Sequence, residues 1–192
     1  MTELTNLTSH ALTADRWNDF EKLFGPRGAC GGCWCMFFIL PNKEFWPAKG
    51  EQNHINIQKR VLEDQKFPGL IAYFGKEPAG WIAVAPREMY ARLQNSKILK
   101  PVDEQAVWSI VCFFVDKKFR KMGINHFLIK SAIQFAEENG AKIVEAYPVL
   151  PKENKVPDVF AYTGFYSTFL KEEFVEVARR SPTRPIMRFF IS

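Results

Sequence analysis

Between Val107 and Asn125 the chain runs through nine nearly all apolar residues, Val-Trp-Ser-Ile-Val-Cys-Phe-Phe-Val, into Asp-Lys-Lys-Phe-Arg-Lys-Met-Gly-Ile-Asn. This stretch restricts the fold more than any other. An unbroken apolar run of this length predicts a strand covered on both faces. Charge then arrives abruptly with Asp116, Lys117, Lys118, Arg120 and Lys121, and Gly123 permits a tight turn whose successive N–H groups face one anion. From Ile124 to Asn139 a helix follows. Phe127, Leu128, Ile129, Ala132, Ile133, Phe135 and Ala136 form one broad face, with Lys130, Gln134, Glu137 and Glu138 opposite. Asn139-Gly140 supplies its stop. The helix start therefore aims free N–H groups and a positive dipole end at whatever lies over Arg120 to Asn125, an arrangement that cradles a pyrophosphate.

The remaining elements surround this unit. Gly69 to Phe74 and Ala79 to Ala85, separated by Gly75-Lys76-Glu77-Pro78, read as a hairpin. Lys142 to Tyr147 predicts a strand parallel to the first, by way of the helix. A short helix is expected within Asp158 to Lys171, then closing strands over Phe174 to Ala178 and Ile186 to Ile191. Ala14 to Phe24 and Gln52 to Gln65 have helical spacing, with Asn53 as a cap for the second. With 192 residues, 47% of them hydrophobic, and no shift of composition, the chain is expected to form one α/β domain over residues 1–192, a central mixed sheet flanked by helices. No apolar run approaches the ~20 residues of a membrane span, and the N-terminus lacks a leader's basic-then-apolar pattern, so a cytoplasmic protein is expected. The net charge of +5 is scattered among 21 acids, which argues against nucleic acid as a partner. Arg179, Arg180, Arg184 and Arg188 read as a solvated sheet edge.

Arg120-Lys121-Met122-Gly123-Ile124-Asn125, behind a strand ending in Val-Asp and ahead of an amphipathic helix, resembles the signature of the GNAT family of N-acetyltransferases. That signature is Arg or Gln, two residues, Gly, one residue, then Gly or Ala; Asn125 departs at the last position. The likeness extends over roughly residues 65 to 192. It implies a GNAT-like fold with acetyl-CoA as co-substrate, bound by Phe113, Phe114 and Val115 and by Arg120, Lys121, Met122, Gly123, Ile124 and Asn125. It also implies acetyl transfer to an amine of a small molecule or peptide. The oligomeric state stays open, a homodimer included.

Such a transfer needs an uncharged amine, a polarised carbonyl and a proton for the departing thiolate. Backbone N–H groups from Phe113 to Val115 would polarise the carbonyl. Many members of the family donate the proton from a Tyr four residues before a Gly-Phe pair. Here that pair falls on Glu173-Phe174, so the Tyr position holds Phe169, and Tyr166 or Tyr162 must substitute; Tyr166 is the expected acid. Glu145, alone in an otherwise apolar strand, is the expected base, with a carboxylate paired to Lys or Arg as the competing reading.

Gly28-Ala-Cys-Gly-Gly-Cys-Trp-Cys-Met36 remains. Three thiols with Cys-x-x-Cys spacing can approach one metal ion, but no fourth ligand follows nearby, so no stoichiometric metal is expected. Cys30, Cys33, Trp34 and Cys35 are instead expected to border the acceptor pocket. Cys112 is expected to pack as a small hydrophobe. Two rivals stay in view: a CoA-binding sensor or scaffold without turnover, and a metal or redox regulator built on the Cys30–Cys35 loop.

Overall fold

The computed structural model describes residues 6–64, 68–151 and 161–192. Seven strands form one sheet in the order β1-β2-β3-β4-β5-β7-β6. They are β1 (Leu7–Ala11), β2 (Gly69–Phe74), β3 (Glu77–Pro86), β4 (Trp108–Val115), β5 (Ile143–Ala146), β6 (Val175–Arg179) and β7 (Pro185–Phe190). Only β4 and β5 are parallel, joined through a helix; the other neighbours are antiparallel. The helices are α1 (Trp17–Phe24), α2 (Asn42–Phe45), α3 (Glu51–Leu62), α4 (Ala91–Gln94), α5 (Ile124–Glu138) and α6 (Tyr166–Lys171).

The central strands are apolar on both faces because each face carries its own core. On one face Phe20, Leu23, Ile57 and Val61 of α1 and α3 pack over Trp81 and Val111. On the other, Ile124, Leu128, Ile129, Ala132 and Ala136 of α5 pack over Ile82, Val84 and Ile110. The hairpin, the parallel pair and the closing strands lie where the apolar runs predict them. The second predicted helix differs at its start. It begins at Glu51 behind Gly50, so Asn53 is not its cap. Asn53 is fully buried, and its Nδ2 donates to the Gly32 carbonyl at 3.2 Å, tying the cysteine-rich loop to α3. The last helix begins at Tyr166, residues 161–165 forming a turn and a bridge; Asp158 to Phe160 and Gln65 lie outside the described residues.

Candidate active site

The centre of the site is a fault in β4. Ala83 pairs with Cys112 and Val84 with Ile110, leaving Val111 as an extra residue. This bulge turns Val111 and Cys112 to the same face, that of α1 and α3. Beyond it β4 and β5 part, their pairing being confined to Trp108–Ile110 against Val144–Ala146. The Asp116 N–H donates to Ala79 on β3 at 3.0 Å, so strand alternation sends the Phe114 N–H to β3 and those of Phe113 and Val115 into the gap. Of the three residues expected to polarise a carbonyl, Phe114 therefore does not.

A crossing segment occupies the gap. The Phe113 N–H donates to the Tyr162 carbonyl at 2.6 Å, Val149 N–H to the Gly164 carbonyl at 2.9 Å, and Tyr166 N–H to the Val149 carbonyl at 3.0 Å. Arg184 Nη1 holds Thr163 Oγ1 at 2.7 Å. Glycine is required at 164, where φ is +78° and a Cβ would stand 2.8 Å from Phe169 and 3.2 Å from Phe113.

The turn expected to cradle an anion lies at the open end of the gap. The Asp116 carboxylate accepts from the Lys118 N–H at 2.8 Å and caps the turn. Lys121 at φ +64° and Gly123 at φ +79° then bend the backbone into α5. The first N–H groups of that helix have no intrahelical acceptor and face the same way as its positive dipole end. Lys117, Lys118, Arg120 and Lys121 are exposed around it. Asn125, in the position of a small residue, has its amide oxygen covered from solvent and without a donor among the described residues. That acceptor does not stand in the cradle, which is left to N–H groups and cations and so suits phosphate. Ile124 sits tight on the sheet, its Cγ2 2.9 Å from where a Cβ on Gly80 would lie.

The tyrosine expected as acid is elsewhere. Tyr166 lies at the start of α6 beneath the Arg179 guanidinium, 5.7 Å from its ring centroid, and its hydroxyl bonds Glu176. Loss of water, then the Glu176 carboxylate, raises its pKa. Glu176 and Arg179 belong to β6, separated from β4 by β5 and β7, so this hydroxyl faces the far edge of the sheet. Phe169 is fully buried 6.0 Å from the Phe113 ring, and Glu173 takes a left-handed φ of +62° just after α6. Tyr162 is the tyrosine that touches the gap. Its ring meets Phe37 and Phe38 at 5.8 and 6.3 Å, and burial raises its phenol pKa.

Glu145, expected as base, has both carboxylate oxygens engaged in the core. It is fully buried, with Oε1 accepting from Arg87 Nη1 at 2.9 Å and the Tyr147 hydroxyl at 2.6 Å, and Oε2 from Arg188 Nε at 2.8 Å. Arg188 also grips Asp103 through both Nη atoms, at 2.6 and 3.0 Å. The competing reading, a paired structural carboxylate, describes this geometry. Arg188 is thus a core residue and not part of a solvated edge. The available signal was a pair of opposite charges, each alone in an apolar strand; Arg87 carried none.

In the cysteine loop, Trp34 and Cys35 hold positive φ of 45° and 56° and turn inward. Trp34 is buried, stacked on Phe24 at 5.9 Å and near His54 at 4.3 Å, so it is a core residue and not a pocket wall. Trp81 Nε1 donates to Cys35 Sγ at 3.0 Å. Cys35 in turn bonds Cys112, raising its pKa together with burial. Cys33 is half-buried and pushed up to about 12, by burial first and Cys35 second. Cys30 is exposed. The raised thiols of Cys33 and Cys112 are poor nucleophiles. Among the described residues no three His, Cys, Asp or Glu side chains gather as a metal site. Cys112 does more than fill the core, since it joins the loop to the β4 bulge.

The profile of the acetyltransferase (GNAT) family matches residues 33–165. No protein of curated function matches the chain in sequence. In structure the chain is similar to the paiA N-acetyltransferase of Thermoplasma acidophilum in complex with coenzyme A, with TM-score 0.54 and 12% identity over 96% of this chain and 99% of that one. It is similar to a chain of the NatC complex bound to Gag peptide and CoA, with TM-score 0.55 and 11% identity over 97% and 99%. An agmatine N-acetyltransferase in its apo form gives TM-score 0.56 and 8% identity over 97% and 100%. At these identities the likeness speaks for the fold, and the match over residues 33–165 speaks for descent. The chain belongs to the GNAT family of acetyltransferases, acyltransferases that take acetyl-CoA as co-substrate.

Proposed function

We propose that the chain transfers the acetyl group of acetyl-CoA to an amine of a small molecule or peptide, within a single domain. One observation carries this reading: the parted strands β4 and β5 open onto the Gly123 turn and the start of α5, so main-chain donors and an anion cradle share one groove. Arg120, Lys121, Met122, Gly123, Ile124 and Asn125 hold the pyrophosphate. Phe113 and Val115 turn their N–H groups to the pantetheine arm and the thioester carbonyl, Phe113 exchanging its bond to Tyr162 for one to the substrate. The acceptor enters from the face of Cys112 and Tyr162. Its nitrogen bonds the carbonyl carbon, the carbon–sulfur bond breaks, the nitrogen releases a proton to water, and the Tyr162 hydroxyl supplies one to the sulfur. Structures of this fold include one named for agmatine and one holding a peptide, which supports both acceptor classes.

The test is calorimetry of acetyl-CoA binding together with release of the free CoA thiol across a panel of amines. Micromolar binding with amine-dependent release is expected. Binding without release for any amine would favour a CoA-binding sensor, as the capped Phe113 N–H and the phenylalanine at 169 would suggest.

A further inference from the structure

Arg92, at the second position of α4, is not part of the chemistry above, yet its guanidinium is built for a ligand. Its backbone N–H donates to the Phe38 carbonyl at 3.2 Å, fixing α4 to the segment after the cysteine loop. At the outer end, Nη1 donates to Asn42 Oδ1. The guanidinium carbon lies 3.8 Å from the Phe37 ring centroid and 5.1 Å from that of Phe45, so aromatic faces flank the plane. The remaining donors, Nε and Nη2, are sealed from water and have no acceptor among the described residues. These two nitrogens form one edge of the guanidinium, with parallel N–H bonds at the spacing of two carboxylate oxygens. Donor atoms covered from water are seldom left unmade, because the lost hydration is not returned.

The location suits an acceptor. Phe37 stands 5.8 Å from the Tyr162 ring, and the Tyr162 carbonyl is the group bonded to Phe113 in the gap. The electrostatic neighbours of Arg92 are Tyr162 and Cys33, while burial pulls its pKa below the usual value. No carboxylate of the described residues meets this edge.

We infer that the Nε–Nη2 edge of Arg92 is the binding site for a carboxylate of the acceptor, so that the acetylated molecule is an amino acid or related compound carrying amine and carboxylate together. This rests on the acetyltransferase reading above and narrows its acceptor. Phe37, half-exposed, and the buried Phe45 flank the guanidinium plane and bound the site.

The experiment compares free amino acids, with amine and carboxylate separated by one to four carbons, against their carboxamides and the matching decarboxylated amines. Acetyl-CoA affinity is measured separately on the same preparations. At least one carboxylate-bearing amine should exceed its amide in kcat/KM by roughly 100-fold, the scale of a charge-assisted bidentate contact. Arg92→Gln should raise KM for that acceptor about as much, with kcat changed far less and acetyl-CoA affinity intact. Equal turnover of acids and amides by the native protein overturns the inference without needing the variant. So does activity confined to amines without a carboxylate, or acetyl-CoA binding with no acid accepted. Failure of acetyl-CoA to bind at all would instead sink the acetyltransferase reading, and is seen in the separate measurement.

Discussion

Strands β4 and β5 are one pair with two unlike halves. Over Trp108–Ile110 and Val144–Ala146 they are joined, and their junction is crowded with buried polarity: Arg87, Ser109, Glu145, Tyr147 and Arg188. Ser109 Oγ meets the Tyr147 hydroxyl at 2.8 Å, and both Glu145 oxygens are taken. Arg87 Nη2 reaches the carbonyls of Leu93 and Leu99 at 3.2 and 2.6 Å, so the network also anchors the segment before β4. Past the bulge the same strands are held apart by aromatic rings and the main-chain bond from Phe113 to Tyr162. Charge pairs that are costly to desolvate stand where strands must keep one register. Where the proposed reaction takes in its substrate, the chain is held by a contact that another carbonyl can replace.

The comparison breaks first at Glu145. Replacing it by Leu leaves Arg87 buried without its anion and Arg188 with Asp103 alone, which should cost about 3–5 kcal/mol in denaturant unfolding. Glu145→Gln keeps two hydrogen-bonding groups and should cost less, with turnover following the folded fraction. A Glu145→Gln protein of native stability and no turnover would make Glu145 the base after all, and the division between the two halves would fall.

In the open half, Tyr162→Phe should lower turnover by roughly 100-fold, the usual scale for a positioned acid, with acetyl-CoA affinity intact. Tyr166→Phe, whose hydroxyl faces Glu176 at the other edge, should leave turnover within about twofold of native. Reversal of that order would return the acid to α6. At the mouth of the gap, Gly123→Val puts a branched side chain at φ +79° and against the phosphates. A loss of about 1–2 kcal/mol in stability and a tenfold or greater loss of acetyl-CoA affinity are expected, read by unfolding and calorimetry.

What could be read in the sequence divides along the same line. Apolar periodicity located the hairpin, the parallel pair and α5, because burial on one or both faces is written locally in residue type. The tight turn between β4 and α5 was legible for the same reason, its glycine and cations being contiguous. The polar contacts were not. Glu145 was noticed as a charge in an apolar strand, but its partners lie 58 and 43 residues away in sequence, and only the register of β5 on β7 sets it opposite Arg188. Helical spacing from Phe169 points to Tyr166. The spacing is right, yet α6 begins at Tyr166 itself, and the first-turn hydroxyl bonds β6. The position of Trp34 in a glycine-rich loop suggests a border of the acceptor pocket, whereas consecutive left-handed residues fold that loop back into the core.

The smallest effect expected is on acid stability, and it belongs to the joined half. Asp103 is pulled down to about 2, by the hydrogen bond from Arg188 first and by the Gln105 N–H second. In the unfolded chain an aspartate titrates near ~3.9. A carboxyl depressed on folding adds stability that is complete above the unfolded value and is lost as pH falls through the folded one. The contribution of Asp103 should therefore be whole at pH 6 and fade between about pH 5 and 2. Asp103→Asn should flatten that acid limb of the unfolding curve and lower stability modestly at neutral pH, since Arg188 keeps Glu145 and the site is partly exposed. Acid should also loosen the joined half while leaving the Phe113 to Tyr162 contact, which has no titrating group, unchanged. Hydrogen exchange at the amides of Phe113 and Glu145 as pH is lowered distinguishes the two. Equal loss of protection at both would mean that the strand pair opens as one unit and that its halves are not independent.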